Sequence, residues 1–279
     1  MRIALAQFDS WVGDVNANLS RIGALTAQAS AEGAELVVFP ELATHGYFLG
    51  HVPDSEPLEA RDPRLLALAG DGTDVVVGFH EAAAVRRYNS AAYLSAGGAV
   101  HVHRKLYLPT YLRWEERKHS SPGQSLRAFD TRHGRAAILI CNDAWQLALP
   151  WLAAQDGAEL LIVPANSAHH DARPPRSLDT IGYWEQLLGL IARLQQCWVV
   201  FVNRAGTEAG ARFWGGSRVL DPDGEVVALA PMHEPDLIVV DIEVAAARRR
   251  RDAVPLLAEA RLSLIEREVR RLIDEGGDG

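Results

Sequence analysis

Cysteine is scarce. The 279-residue chain holds two, Cys141 after one strand-like run and Cys197 inside another, too far apart in sequence to make a disulfide framework. A reducing compartment, the cytoplasm, is therefore expected. Long apolar runs are missing too. No segment approaches the length of a membrane span, and the opening "MRIALAQFDSW" has too few consecutive apolar residues for the core of a signal peptide. Neither insertion nor export is expected. Basic residues are outnumbered, 28 Lys and Arg against 36 Asp and Glu, for a formal charge of −8. That balance argues against a general binder of nucleic acid or of anionic membranes, and suits a small neutral or cationic substrate. No Pro/Ser-rich linker, low-complexity block or short-period repeat divides the chain, so one domain over residues 1–279 is expected. A G-x-S-x-G elbow is absent, which removes the usual serine hydrolase, and so is the "C-G-S-C-W" context of papain-like enzymes.

What is present is an α/β pattern. At 48% hydrophobic residues the chain has ample material for a core. Short β-rich runs recur at "IALAQF" (3–8), "ELVVF" (35–39), "DVVVGF" (74–79), "RAAILI" (135–140), "LLIVPA" (160–165) and "WVVFVN" (198–203), several apolar throughout, as strands covered on both faces require. Between some of them lie helical spacings: Leu19, Ile22, Leu25 and Ala29 before Gly33, and Trp184, Leu187, Leu188, Ile191 and Leu194 before "QCWVVFVN". Strand-helix alternation implies α/β layering. Two further stretches predict hairpins, "YNSAAYLSAGGAVHVHRK" around Gly97 and Gly98, and "RFWGGSRVLDPDGEVVALA" around Asp221 to Gly224, so the sheets should be mixed. The tail, about 255–275, predicts a charged amphipathic helix from Pro255 to Ile273. It packs either on its own domain or on a partner subunit.

The chemistry centres on "RAAILICNDAW". A thiol at the end of an apolar strand needs a base or a cation to draw it toward thiolate, and donors for the oxyanion it would create on a carbonyl. Suitable groups follow other strand-like runs: Glu41 after "VVFP" and Lys105 after "AVHVHR". In an α/β sheet, residues just past strand carboxyl ends converge on one rim. Taken singly, each has a plainer reading: a buried structural thiol, a helix-capping carboxylate and a loop lysine. Together they could meet as base, cation and nucleophile.

The blocks "VVFPELATHGYFLG", "HRKLYLPTYLRWEERKHSSPGQ" and "ILICNDAW", in that order, resemble the three signature blocks of the nitrilase superfamily of carbon-nitrogen hydrolases. The likeness extends through "IALAQFDSWVGDVNANL", "VVVGFHE", "YNSAAYL" and "VVFVNRAGTEAGARFWGGSRVLDPDGE". It implies an α/β fold, a four-layer α-β-β-α sandwich with two mixed β-sheets, with the site at one rim. It also implies a catalytic glutamate at Glu41, a lysine at Lys105, a nucleophile at Cys141 and a second glutamate, which matches Glu116 better than Glu115. On this reading Glu41 takes the thiol proton, Lys105 and the backbone N–H of Asn142 hold the oxyanion, and Glu116 orients Lys105 or the substrate nitrogen. Neither metal nor other cofactor is required. Two subunits packing through helices is the family habit, so a homodimer or higher even homo-oligomer is expected.

Nitrile-cleaving members usually carry Cys-Trp-Glu at the nucleophile, and this chain has Cys-Asn-Asp. "CNDAW" and "FPELATHGY" look closer to the glutaminase domains of NAD synthetases, which carry Cys-Glu-Asp-x-Trp, yet no "SGGxDS" segment follows. The expected activity is hydrolysis of a small-molecule amide by a free-standing amidase. Hydrolysis of an N-carbamoyl amine or amino acid, then of a nitrile, rank below it, and a silent binding or scaffold relative is the non-enzyme alternative. Tyr47, Asn142, Trp145, Asn166 and His169 are the expected substrate contacts. An N-carbamoyl amino acid would need an arginine in the pocket, for which Arg173 and Arg204 are candidates. The pairs His169/His170 and His101/His103 lack a third ligand at metal spacing and are expected to be solvated or hydrogen-bonded. Cys197 reads as core, and the arginine run 248–251 as a salt-bridged helix or a subunit contact.

Overall fold

The computed structural model describes residues 1–51, 56–70, 72–111, 114–169 and 180–276. Its strands are β1 (Arg2–Gln7), β2 (Leu36–Val38), β3 (Asp74–Ala83), β4 (Arg86–Ser95), β5 (Gly98–Arg104), β6 (Phe129–Thr131), β7 (Gly134–Ile138), β8 (Leu160–Ala165), β9 (Trp198–Asn203), β10 (Ala205–Glu208), β11 (Ala211–Trp214), β12 (Arg218–Leu220), β13 (Val226–Leu229) and β14 (Asp236–Asp241). The helices are α1 (Val15–Ala31), α2 (Pro63–Leu66), α3 (Ala148–Gln155), α4 (Thr180–Gln195), α5 (Ala246–Ala253) and α6 (Leu262–Asp274). One six-stranded sheet runs β14-β1-β2-β3-β4-β5 and a second runs β13-β12-β9-β8-β7-β6. Each has a parallel centre, β1-β2-β3 in one and β7-β8-β9 in the other, with antiparallel neighbours outside. The sheets are mixed, as the hairpin signals require.

Three apolar interfaces make the four layers. Alternate residues of the central strands, Ile3, Leu5, Leu36 and Val38 from the first sheet and Ala136, Ile138, Ile162 and Val200 from the second, form one cluster between the sheets. The opposite faces of the same strands pack outward, Ala4, Val37 and Val75 onto Leu19, Ile22 and Ala29 of α1, and Leu161, Val163 and Val199 onto α3 and α4 through Ala153, Trp184 and Leu188. A strand with period-two side chains and apolar residues on both faces has to be covered twice. Helix α1 begins where the Asp14 carboxylate accepts from Ala17 N at 3.1 Å, as an N-cap does. Among the described residues no helix is long and apolar enough to cross a membrane.

Three expectations are corrected. "RFWGGSRVL" is not one strand: Gly215 and Gly216 take φ of 66° and 60°, breaking it into β11, which pairs with β10 in a separate two-stranded sheet, and β12 of the second large sheet. The tail helix starts at Leu262 rather than Pro255, because Leu257 packs on the α3/α4 core and its carbonyl accepts from Gln155 Nε2 at 3.1 Å, which holds the preceding turns against the body. Leu194 points to solvent from α4, while Ala192 and Gln195 take the buried positions.

Candidate active site

The loop after β2 folds back over β3. Phe39 N donates to Val76 O at 2.8 Å and Thr44 N to Gly78 O at 3.2 Å. A Cβ at Gly78 would lie 2.4 Å from Leu42 N, so the approach is open to glycine alone. Leu42 itself takes a φ of 48°, and this sharp turn sends the Glu41 side chain into the interior, where it is 1% exposed.

Lys105 is the first residue past β5, its N–H tied to Asn89 O on β4 at 2.8 Å. Its fully buried Nζ donates to Glu41 Oε1 at 2.6 Å and to Glu116 Oε1 at 2.7 Å. Burial alone would strip the charge from this ammonium, but Glu116 and Glu41 outweigh it, and its pKa stands well above the ordinary lysine value. Glu116 opens a 3₁₀ turn and also accepts from the Tyr47 hydroxyl at 2.5 Å. Burial, reinforced by the charge of Glu41, pushes its carboxyl up to about 7 against the pull of Lys105 and Tyr47. Glu115 faces the surface and pairs with Lys118 at 2.7 Å; only the second member of the Glu-Glu pair reaches the lysine. Asn89 braces both carboxylates, its Nδ2 lying 2.7 Å from Glu41 Oε1 and 3.5 Å from Glu116 Oε2. Asn166 holds the other oxygen of Glu41 through its backbone N–H at 2.8 Å, and its side-chain amide donates to Glu41 O at 2.8 Å.

Cys141 begins the 3₁₀ turn Cys141–Asp143 with a φ of 47°, a left-handed backbone uncommon outside glycine. Its thiol is pushed well above the ordinary range, by burial first and then by the charge of Glu41 and Glu116, with Lys105 and the Asn166 N–H pulling the other way. A thiol held in that direction would have to pass its proton to a base in order to act as a nucleophile.

Cys141 lines a cavity of ≈ 90 Å³ with Tyr47, Tyr111, Asn142, Trp145, Asn166 and Trp184 among its walls. Tyr47 also lines a second cavity of ≈ 450 Å³ that reaches Glu116, Asn89 and His119. Four of the five expected substrate contacts, Tyr47, Asn142, Trp145 and Asn166, thus border the cysteine's cavity. Their side chains are partly engaged: Asn142 Nδ2 donates to Tyr107 O at 3.2 Å, and Trp145 stacks on Tyr183 with centroids 5.8 Å apart. His169 is absent from the residues bordering that cavity; its N–H bonds Arg212 O and its ring lies 5.2 Å from that of His233. Arg204 is removed from the candidates for a substrate carboxylate, because it is 1% exposed and its guanidinium is consumed by Asp9, Ser10 O and Glu208. His170 and Arg173 lie outside the described residues. Among the described residues no three His, Cys, Asp or Glu side chains form a metal-binding group. His101 stacks on Phe129, and His103 Nε2 lies 2.9 Å from Asp143 Oδ2. Cys197 is fully buried, and Arg248 to Arg251 each bond a carboxylate or a backbone oxygen.

Three residues absent from the sequence-based site belong to it. Asn89 braces the carboxylates. Asp143, buried, accepts from Ile140 N at 3.1 Å, Leu106 N at 3.0 Å and Tyr107 N at 2.9 Å, tying the Cys141 turn to the segment that follows Lys105. Glu208 holds the backbone of Tyr47 and Phe48. Each falls inside a quoted block ("YNSAAYL", "ICNDAW", "NRAGTE"), but their roles depend on contacts that spacing does not reveal.

Comparison with known proteins places this arrangement in a class. The profile described as Carbon-nitrogen hydrolase matches residues 2–252, and the chain belongs to that family. It is 33% identical to the glutamine-dependent NAD(+) synthetase of Xylella fastidiosa over 95% of this chain and 48% of that protein; the chain spans about half the length of such synthetases. It is 30% identical to the omega-amidase of Bos taurus over 97% of this chain and 98% of that one. Among solved structures it resembles an amidase variant from Nesterenkonia sp. AN1 carrying the acetamide moiety of fluoroacetamide on its active-site cysteine, at a TM-score of 0.78 and 25% identity over 96% of both chains.

Proposed function

We propose that this carbon-nitrogen hydrolase cleaves a small-molecule primary amide to carboxylate and ammonia through a thioester on Cys141, without metal or other cofactor. The observation that carries the reading is the buried ammonium of Lys105 between Glu41 and Glu116, at 2.6 and 2.7 Å, beside a cysteine that borders a small aromatic cavity. Glu41 accepts the thiol proton as Sγ bonds the amide carbon, and the carbonyl electrons move onto oxygen, where Lys105 Nζ and the Asn142 N–H stabilise them. Collapse breaks the C–N bond, and Glu41 returns the proton to the departing nitrogen. Water then attacks the thioester, losing its proton to Glu41, and C–S cleavage with return of that proton from Glu41 to Sγ restores the thiol. Glu116 keeps Lys105 charged and aimed. The amidases among the relatives, one with an amide fragment on its cysteine, support this class of substrate, and a reduced thiol suits the cytoplasm.

A homodimer is part of the proposal. Helix α6 has no buried residue, yet Leu262, Ile265 and Val269 share one face across an apolar groove of ≈ 740 Å³ from Leu147, Leu152, Leu190 and Leu194 of the α3/α4 layer. A 13-residue helix is marginal in water without packing, and a second copy offers the same apolar surfaces around a two-fold axis.

The deciding experiment is ammonia release from a panel of primary amides, N-carbamoyl compounds and nitriles, with intact mass recorded during turnover. Release from primary amides is expected, with a transient acyl mass on the parent and a fall of at least about a thousandfold in Cys141→Ala. Residual turnover within about tenfold of the parent would remove Cys141 as nucleophile.

A further inference from the structure

Tyr47 is the wall between two cavities, ≈ 90 Å³ on the cysteine side and ≈ 450 Å³ on the other. Its ring meets Phe48, Trp114 and Phe213 edge-on, at centroid distances of 5.3, 5.2 and 6.2 Å. With open space beside it, packing alone does not fix where its hydroxyl points. The backbone does. Tyr47 N donates to both oxygens of Glu208, at 3.0 and 3.3 Å, and Phe48 N donates to Oε1. The preceding Gly46 takes a φ of 81°, and a Cβ there would lie 2.9 Å from Glu208 Oε2, so the loop is drawn tightly onto the carboxylate.

Glu208 is itself anchored. It ends β10 opposite Ala211 of β11, is 6% exposed, and pairs with Arg204 Nη1, whose Nη2 holds Asp9 Oδ1 at 2.9 Å. A buried carboxylate that accepts two backbone N–H groups as well as a guanidinium does more than neutralise an arginine.

We infer that Glu208 is a positioning residue for the reaction: it clamps the Tyr47 backbone so that the phenol donates to Glu116 Oε1, the same oxygen that receives Lys105 Nζ. This rests on the amidase reading above. The Tyr47 hydrogen bond favours the ionised form of Glu116, so loosening the clamp raises the pH at which Glu116 becomes a full acceptor for Lys105. The small two-stranded sheet thereby acts on the triad without touching substrate.

The test uses Cys141 alkylation by iodoacetamide, followed by intact mass between about pH 5 and 9, for the parent, Tyr47→Phe, Glu208→Gln and the double variant. In the parent the rate is expected to carry a limb near pH 7, where Glu116 ionises, that a free cysteine lacks. In Tyr47→Phe and Glu208→Gln the limb moves upward by about 0.5 to 1 pH unit, and the double variant matches Tyr47→Phe. A Glu208→Gln profile that overlays the parent, or shifts that add in the double variant, overturns the inference. If Glu208→Gln fails to fold, Glu208→Asp keeps the charge for Arg204 while withdrawing the carboxylate from the Tyr47 and Phe48 N–H groups, and the same outcomes decide. A purely structural role would lower Tm without moving the limb. A parent profile like that of a free cysteine counts against the triad reading itself and is seen without any variant.

Discussion

Lys105 is one of two lysines among 28 basic residues. The ammonium is required where it stands, because a compact point charge fits between carboxylate oxygens at 2.6 and 2.7 Å and a planar guanidinium does not. Glu116 Oε1 receives donors from both Lys105 and Tyr47, a geometry that suits an ionised oxygen. With its carboxyl pushed up to about 7, the ionised fraction grows as pH rises, so amide turnover should rise through that region and fall below it. Glu116→Gln should flatten this limb and lower kcat by about 10²-fold or more; a limb that persists unchanged in Glu116→Gln belongs to another group. Glu41, Lys105 and Cys141 were legible because each follows an apolar strand within a recognisable block. Glu116 and Glu115 are adjacent and chemically alike, and only their opposite directions from the 3₁₀ turn separate them.

Strands with a continuous apolar run, β3, β8 and β9, stand out in the sequence because burial on both faces removes polar residues. Three-residue β6 leaves no such trace, whereas β14 carries the apolar run Leu237 to Val240 although it is only half-buried. β14 pairs with β1 along all six of its residues, a partnership between opposite ends of the chain. The element that positions Cys141 is the turn held by Asp143, which joins the end of β7 to the segment after β5 through three backbone N–H groups. Asp143→Asn places an amide donor among these donors and His103. The change should cost about 2–4 kcal/mol of stability and lower kcat more than KM is altered, since misplacing a nucleophile by about 1 Å costs on the order of 10²-fold. Thermal melting and steady-state kinetics on the same preparation check both; a parental kcat would show that the turn keeps its position without the carboxylate.

Across the whole molecule, polar chemistry gathers at one rim while the α3/α4 side carries exposed Leu147, Leu152, Leu190 and Leu194 facing α6. If a second copy covers this face, Ile265→Glu should yield a monomer in sedimentation or light scattering, with kcat/KM changed by less than about threefold because the apolar groove shares no lining residue with the cavity beside Cys141. A parent that is monomeric at micromolar concentration removes the homodimer. Composition, strand-helix alternation and the three blocks were enough to define an α/β hydrolase with a thiol, a lysine and a glutamate at strand ends, since those features are written in local pattern and residue type. Folding alone decided that Lys105 meets Glu41 across 64 positions and that Asn166 N meets it across 125. It also decided that Arg204 turns inward to Glu208 rather than toward substrate. Such contacts depend on sheet register and on which way a loop closes over its neighbour, and a one-residue slip would send every side chain of a strand to the other face.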